Sequence, residues 1–302
     1  MTITGIGETV LDIVFQDMQP LAAVPGGSTF NAMISLGRTA GRDLPDVTLR
    51  MVSQIGDDPV GDLVFSFMEK NRVRTDAMVR ANGQSTVSLA MLDEHRNAKY
   101  EFFRDAGLPP FKAPELEFGP GDIVLFGSFF AINPVTREET RALIRKARSA
   151  SATVYYDINF RKTHDLVESR PQIEENMTLS DIVRGSSEDI EALYGSTNAS
   201  EVYRNHIAPR CKTFICTKGA HETEVFAPGF SKSYPVPQGT PVVSTIGAGD
   251  NFNAGTLYAL AKWGKPDWDA IVPIAHRFSA NVVASMYNYV DEGFRCEGQI
   301  RQ

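Results

Sequence analysis

Short apolar runs alternate along this chain with stretches of helical spacing. Residues 3–10, 47–52, 123–126, 153–157, 182–184 and 213–217 form compact apolar runs, the pattern of strands buried on both faces. Between them, 58–71, 136–150, 186–194 and 198–208 repeat apolar positions at helical intervals. This alternation predicts an α/β fold, doubly wound around a mostly parallel sheet flanked by helices, as a single domain over 1–302. One region breaks the rhythm. Residues 85–103 alternate polar and apolar positions around a polar turn at 93–97, which predicts a β-hairpin.

Composition narrows the class. A chain of 302 residues can bury one large α/β core with a small accessory element. Its 42% hydrophobic and 22% charged residues are those of an ordinary soluble enzyme. A net charge of −7 argues against a nucleic-acid partner, which would need a basic surface. Cys211, Cys216 and Cys296 are too scattered for a disulfide framework, and no cysteine–histidine spacing predicts a metal site. No lysine or arginine precedes Arg38, and the longest apolar run, 123–132, is broken by Gly127 and Ser128. It is too short to span a bilayer, so no membrane partner and a cytoplasmic location are expected.

The candidate chemistry sits in two glycine clusters. Ser244-Thr245-Ile246-Gly247-Ala248-Gly249-Asp250 follows a predicted strand at 240–244 and opens into an Ala-rich helical pattern. The amides of Gly247, Ala248 and Gly249 can point into one concavity at a helix N-terminus, which binds an anion without a lysine. Asp250 beside an anion site makes sense where a neutral hydroxyl lies between carboxylate and phosphate: it takes the hydroxyl proton while the amides hold the transferred group. The alternative is a glycine turn whose Asp caps the helix. The second cluster, Pro25-Gly26-Gly27-Ser28-Thr29-Phe30-Asn31, also precedes a helical pattern, and Asp12 follows the first predicted strand. Asp12, the Gly26–Gly27 turn and Asn31 at one sheet edge would suit the hydroxyls of a polyol.

Together these segments resemble the ribokinase-like (PfkB) family of sugar kinases over essentially the whole chain. The N-terminal signature is similar to residues 26–31 with the helix running to Gly41, and the C-terminal signature to 244–250 apart from its first position. Between them, Gly56-Asp57-Asp58-Pro59-Val60-Gly61 resembles the family's Gly-x-Asp-x-x-Gly turn. Asp157-Ile158-Asn159-Phe160-Arg161 resembles its Asp-x-Asn-x-Arg strand end.

The resemblance implies an ATP-dependent kinase acting on a primary hydroxyl of a small sugar, with Asp250 as base. It implies sugar contacts from Asp12, Gly26, Gly27 and Asn31. Arg104 resembles an arginine that reaches the substrate in fructokinases and 2-keto-3-deoxygluconate kinases, the alternative being a solvated side chain. Arg161 could approach sugar or phosphates, or pair with Asp157. Thr217, Gly219 and Asn281 match positions near the nucleotide, and Mg²⁺ is expected to be held mainly by the ATP phosphates and water. The hairpin with residues 10–21 is similar to the family's lid, covering about 10–25 and 82–105, through which a homodimer can form.

Departures qualify these expectations. Where the family has Asn-x-x-Glu near Mg²⁺ and phosphate, this chain has Ser186-Ser187-Glu188-Asp189, leaving Ser186 and Asp189 with shorter reach. Ser244 replaces an Asp that helps many members bind a monovalent cation, which puts K⁺ dependence in question. Fructose is the first expectation for the sugar, from Phe102-Phe103-Arg104 and 157–161. 2-keto-3-deoxygluconate is next, then ribose and nucleosides. A non-catalytic sugar-binding member would be expected to lose the base or the glycines, and both are present. An NAD-dependent oxidoreductase would need Gly-x-Gly-x-x-Gly after the first strand, which is absent.

Overall fold

The computed structural model of the chain describes residues 1–93, 98–160 and 165–296. In chain order its elements are β1 (Thr2–Ile6), β2 (Val10–Gln16), β3 (Gln19–Gly26), α1 (Ser28–Arg38) and the short α2 (Ala40–Asp43). Next come β4 (Thr48–Gly56), α3 (Pro59–Lys70), β5 (Met78–Ala81), β6 (Val87–Leu92) and β7 (Ala98–Phe103). The middle of the chain holds β8 (Ile123–Gly127), α4 (Arg137–Ser149), β9 (Thr153–Asp157), α5 (Leu166–Thr178), β10 (Ile182–Ser186), α6 (Ser187–Tyr194) and α7 (Ala199–Val202). Then follow β11 (Thr213–Lys218), β12 (Glu222–Ala227), β13 (Phe230–Pro235), α8 (Ala248–Trp263) and α9 (Trp268–Val283). The architecture is α/β, with a large, mostly parallel sheet flanked by helices and a small separate sheet.

Two compact units divide these elements. The first comprises Met1–Gly7 and Pro110–Gln238. Its strands lie in the order β13-β12-β11-β10-β9-β8-β1. The pairs from β1 to β11 are parallel, and β12 and β13 join antiparallel. β8 is buried along its whole length, as continuous apolar runs require when both faces are covered. α4 turns Thr140, Leu143, Ile144 and Ala147 inward, one stripe at helical spacing.

The second unit comprises Glu8–Pro109 and Gly239–Gln302. β4 and β5 pair in parallel, and α1 and α3 pack on β4. Asp58 caps α3 by accepting from Gly61 N, with Pro59 in the first turn. α8 packs against α1 and α9, approaching α9 so closely that a Cβ on Gly255 would lie 2.6 Å from Ala275 Cα. The small sheet has the order β3-β2-β6-β7. β2 and β3 form an antiparallel hairpin whose turn residues, Asp17 and Met18, both have positive φ (49° and 61°). β2 and β6 pair in parallel, and β6 and β7 antiparallel. The turn expected at 93–97 lies mostly outside the described residues.

The structure corrects several expected elements. The strand expected over 3–10 is divided: β1 ends at Ile6 and β2 starts at Val10 in the small sheet, so Asp12 lies within a strand rather than after one. Residues 240–244 form no strand. Pro241 has no N–H to give a ladder, and Val243 N and Ser244 N both donate to Val283 O, at 2.7 and 3.2 Å, satisfying a carbonyl at the end of α9. The helix expected over 198–208 is a four-residue α7 followed by a π-helical turn at Tyr203–Ile207.

Candidate active site

The start of α8 is built for an exposed helix end. Gly247, its N-cap, is left-handed (φ 77°), and a Cβ there would sit 2.8 Å from Asn288 O. Glycine is therefore required on two counts. As glycine, the N-cap residue has no side chain with which to cap this terminus. Asn251 N donates to Gly247 O at 2.9 Å, and Ala248 N makes a longer turn bond to Thr245 O at 3.3 Å. The first-turn amides and the positive end of the helix dipole together favour an anion here.

Asp250, the third helical residue, is gripped from the beginning of α1. Ser28 Oγ donates to its Oδ1 at 2.7 Å, and Asn31 Nδ2 donates to its Oδ2 at 2.8 Å. Ser28 and Asn31 are three apart on α1 and so lie on one face. α1 can begin there because Gly27 takes φ 117°, with its Cα so near Glu8 that a Cβ would meet Glu8 O at 2.2 Å. Asn31 is buried, and its Oδ1 has no hydrogen-bond partner among the described residues. A buried acceptor in that state is open to a donor from a water or a ligand.

Strand register supplies the next group. Asp12 of β2 is aligned with Ser88 of β6, and Ser88 Oγ donates to Asp12 Oδ1. Asn288 Nδ2 donates to Asp12 Oδ2 at 3.2 Å. A Cβ on Gly26 would lie 2.1 Å from Asp12 Oδ2, so the glycine makes room for the buried carboxylate. Arg104, just beyond β7, forms a two-pronged pair with Glu8, 3.0 Å on each arm, and lies 4.4 Å from the centre of the Phe102 ring. Asp12, Gly26, Gly27, Asn31, Gly247, Ala248, Gly249, Asp250 and Arg104 thus all belong to the second unit. Asn281 does too, on α9, in a reciprocal pair with Asp291: Nδ2 donates to Oδ2 at 3.1 Å, and Asp291 N donates back to Oδ1 at 2.9 Å.

The first unit holds a different cluster at the C-terminal ends of β9, β10 and β11. Arg184 donates to Asp157 Oδ1 at 3.0 Å and to Thr217 Oγ1 at 2.6 Å. Burial works against its charge, but Asp157 and Asp189 beside it more than offset this and raise its pKa. Gly219 turns the chain after β11 with φ 55°. Arg161 lies outside the described residues, and Asp157, its alternative partner, is paired with Arg184.

The model of the pfkB family of carbohydrate kinases matches residues 14–290. The chain belongs to this family. A fructokinase of Vibrio alginolyticus is 25% identical over 269 residues, spanning 87% of this chain and 84% of its own length. A ribokinase of Bacillus subtilis (strain 168) is 26% identical over 295 residues, spanning 92% and 86%. The crystal structure of aminoimidazole riboside kinase from Salmonella enterica, complexed with aminoimidazole riboside and an ATP analog, matches with a TM-score of 0.83 at 21% identity, covering 97% of each chain. The protein is accordingly an ATP-dependent carbohydrate kinase. Among the described residues, no helix is long and apolar enough to cross a membrane.

For this kinase, Ser186 and Asp189 prove to be a capping box at the start of α6. Asp189 Oδ2 accepts from Ser186 N and Oγ, at 2.7 and 2.9 Å, and its Oδ1 accepts from Phe160 N at 2.7 Å. Burial raises its pKa. Both oxygens of this buried carboxylate accept bonds from its own chain, so contact with a phosphate-bound cation would run through a bridging water. The residues missed in the sequence are Ser28, Ser88, Asn251, Asn288 and Arg184. Only Ser28 carried a signal, its i, i+3 spacing to Asn31 beside the double glycine. The others depend on register or on contacts distant in sequence.

Proposed function

We propose that this kinase phosphorylates a primary hydroxyl of fructose, with Asp250 as the general base. The hydroxyl proton passes to an Asp250 carboxylate oxygen as the sugar oxygen bonds to the γ-phosphorus and the bridging oxygen leaves with ADP. The first-turn amides of α8, from Gly247, Ala248 and Gly249, balance the charge on the transferred group. The observation that carries this reading is the hold of Ser28 and Asn31 on Asp250 beside an uncapped helix N-terminus. Two donors fix the carboxylate's plane and keep it an acceptor. Asp12, Gly26, Gly27 and the spare Asn31 Oδ1 serve the other sugar hydroxyls.

A neutral sugar is favoured over 2-keto-3-deoxygluconate by Glu8. Its carboxylate already occupies the Arg104 fork, so a sugar acid arriving there would meet a like charge. Thr217, Gly219 and Asn281 are assigned to the nucleotide, and Arg161 to the sugar or the phosphates. Ser186 and Asp189, which hold the β10–α6 turn, are assigned to the Mg²⁺ and phosphate environment through a bridging water. Mg²⁺, bound mainly through the ATP phosphates and water, supplies charge neutralisation. Ser244 offers a hydroxyl, which accepts from Ile246 N at 3.2 Å, where a carboxylate would favour a monovalent cation, and this weighs against K⁺ dependence without deciding it. The small sheet serves as a lid over the sugar. It also carries exposed Met18, Leu21 and Phe103 as a surface for a homodimer in the cytoplasm.

The test is ADP release measured across fructose, 2-keto-3-deoxygluconate, ribose and aminoimidazole riboside. The expected result is the highest kcat/KM for fructose. A higher value for the acid reverses the substrate assignment, and no ADP release above the sugar-free rate with any sugar removes the kinase mechanism.

A further inference from the structure

Asn288 lies past α9, is 3% exposed, and makes contacts in two directions. Its side chain donates to Asp12 Oδ2 at 3.2 Å. Its main-chain carbonyl accepts from Asn251 Nδ2 at 2.8 Å, and the same Asn251 amide donates to Gly247 O at 2.8 Å. The backbone of Asn288 also lies against the left-handed Gly247, whose absent Cβ would fall 2.8 Å from its oxygen and 3.2 Å from its Cα. Asn251 is anchored from its other end, where Oδ1 accepts from Ser35 of α1. One residue therefore touches both the carboxylate assigned to the sugar and the turn that opens α8.

We propose that Asn288 is a positioning residue for phosphoryl transfer, fixing the Asp12 carboxylate relative to the α8 turn. The inference rests on the reading of Asp12 as a sugar ligand. The physical reason is torsional. A carboxylate held through one oxygen can still swing about its Cβ–Cγ bond, and donors on both oxygens, Ser88 on Oδ1 and Asn288 on Oδ2, set its plane. Because the donor on Oδ2 is anchored by its own main chain to Gly247 and Asn251, that plane is set in the frame of the helix presenting Asp250. A sugar hydroxyl bonded to Asp12 then places the rest of the sugar at a defined distance from the base, the condition on which effective transfer depends. An amide suits this place: it donates without bringing charge beside a buried carboxylate.

The experiment is a double-mutant cycle of Asn288→Ala and Asp12→Asn in the full chain, using whichever of the four sugars above gives the highest wild-type kcat/KM. Asn288→Ala is expected to raise the sugar KM about tenfold while the ATP KM stays within about twofold, as loss of a bond to a charged group predicts. In the Asp12→Asn background the added Asn288→Ala should change the sugar KM less than about twofold, because the group it positions is gone. Effects that multiply in the double variant overturn the inference. So does an unchanged sugar KM in Asn288→Ala while Asp12→Asn raises it, which leaves the sugar role of Asp12 standing. An unchanged sugar KM in Asp12→Asn removes that role, and the inference with it. Asn288→Asp is the second variant, nearly the same shape with a like charge against Asp12. Its sugar KM should rise at least as far as in Asn288→Ala, and no rise overturns the inference.

Discussion

Asn31 and Asp250 are 219 positions apart in the sequence and 2.8 Å apart in the structure. The bond joins the starts of two helices, α1 and α8, each preceded by a glycine at positive φ. It converts Asp250 from a residue that could merely decorate a helix terminus into an oriented carboxylate beside the first turn of α8.

Asp250→Asn should lower kcat by about 10² to 10⁴, the usual weight of a positioned base, while ATP still binds. Steady-state kinetics with a separate ATP-binding titration checks this. Near-wild-type turnover would remove Asp250 from the mechanism.

Asn31→Asp tests the clamp rather than the base. The change deletes the donor to Asp250 and sets a like charge against it, so kcat should fall and the sugar KM rise together, each by roughly tenfold or more. Ser28→Ala, which loses one donor and adds no charge, should cost less in kcat. Equal effects from the two would mean that charge at this point is immaterial.

Arg104→Lys separates the sugar classes. Lysine cannot reproduce the planar fork that Arg104 presents to Glu8, so a substrate carboxylate relying on that fork would lose heavily. Fructose should lose only a few-fold in kcat/KM, because a hydroxyl has no need of two parallel donors from one planar group. A loss of about a hundredfold with fructose would place Arg104 directly on the sugar.

Removing the turn between β6 and β7 should raise the sugar KM and increase the share of ATP lost to water, because closure excludes water from the reaction. The ratio of phosphate released to sugar phosphate formed reports it. If both quantities hold at wild-type values, the small sheet does not cover the sugar.

His276 gives a stability signature. Burial on α9 lowers its pKa from 6.5 to about 4. Between those values the unfolded chain binds a proton that the folded chain refuses, so stability falls as pH drops from about 6.5 toward about 4, by a few kcal/mol in full. Denaturant melts of wild type and His276→Gln across this range should show a shallower slope for the variant. Parallel slopes would contradict the buried neutral imidazole.

What could be read in the sequence was what is local. The runs at 123–126 and 153–157 became β8 and β9 because a fully buried strand has only apolar residues to offer. Asp58-Pro59 marked the start of α3 by its own chemistry. α5 was not visible, since Pro171 and a polar sequence mask its helical spacing. The β12–β13 hairpin went unread because a Gly-Ala-His-Glu stretch gave no firm strand start. In the site, Asp250 and the glycines on either side of Ala248 announced themselves as a motif. Arg184 did not: its bonds to Asp157 and Thr217 exist only once three strand ends lie side by side. Ser186 and Asp189 carry two signals at once, since the spacing that resembles the family's Mg²⁺-side motif is equally that of a capping box.

The alignment of Asp12 with Ser88 also bears on how the protein avoids assembling itself wrongly. Asp12 shares its face of β2 with the buried Val10 and Val14, as Ser88 shares its face of β6 with Ala90. A slip of one residue between these strands would carry Asp12 to the opposite face, but it would expose both valines at the same time. The buried valines thus hold the register that places the Asp12 carboxylate, and a mispaired sheet forfeits their burial during folding.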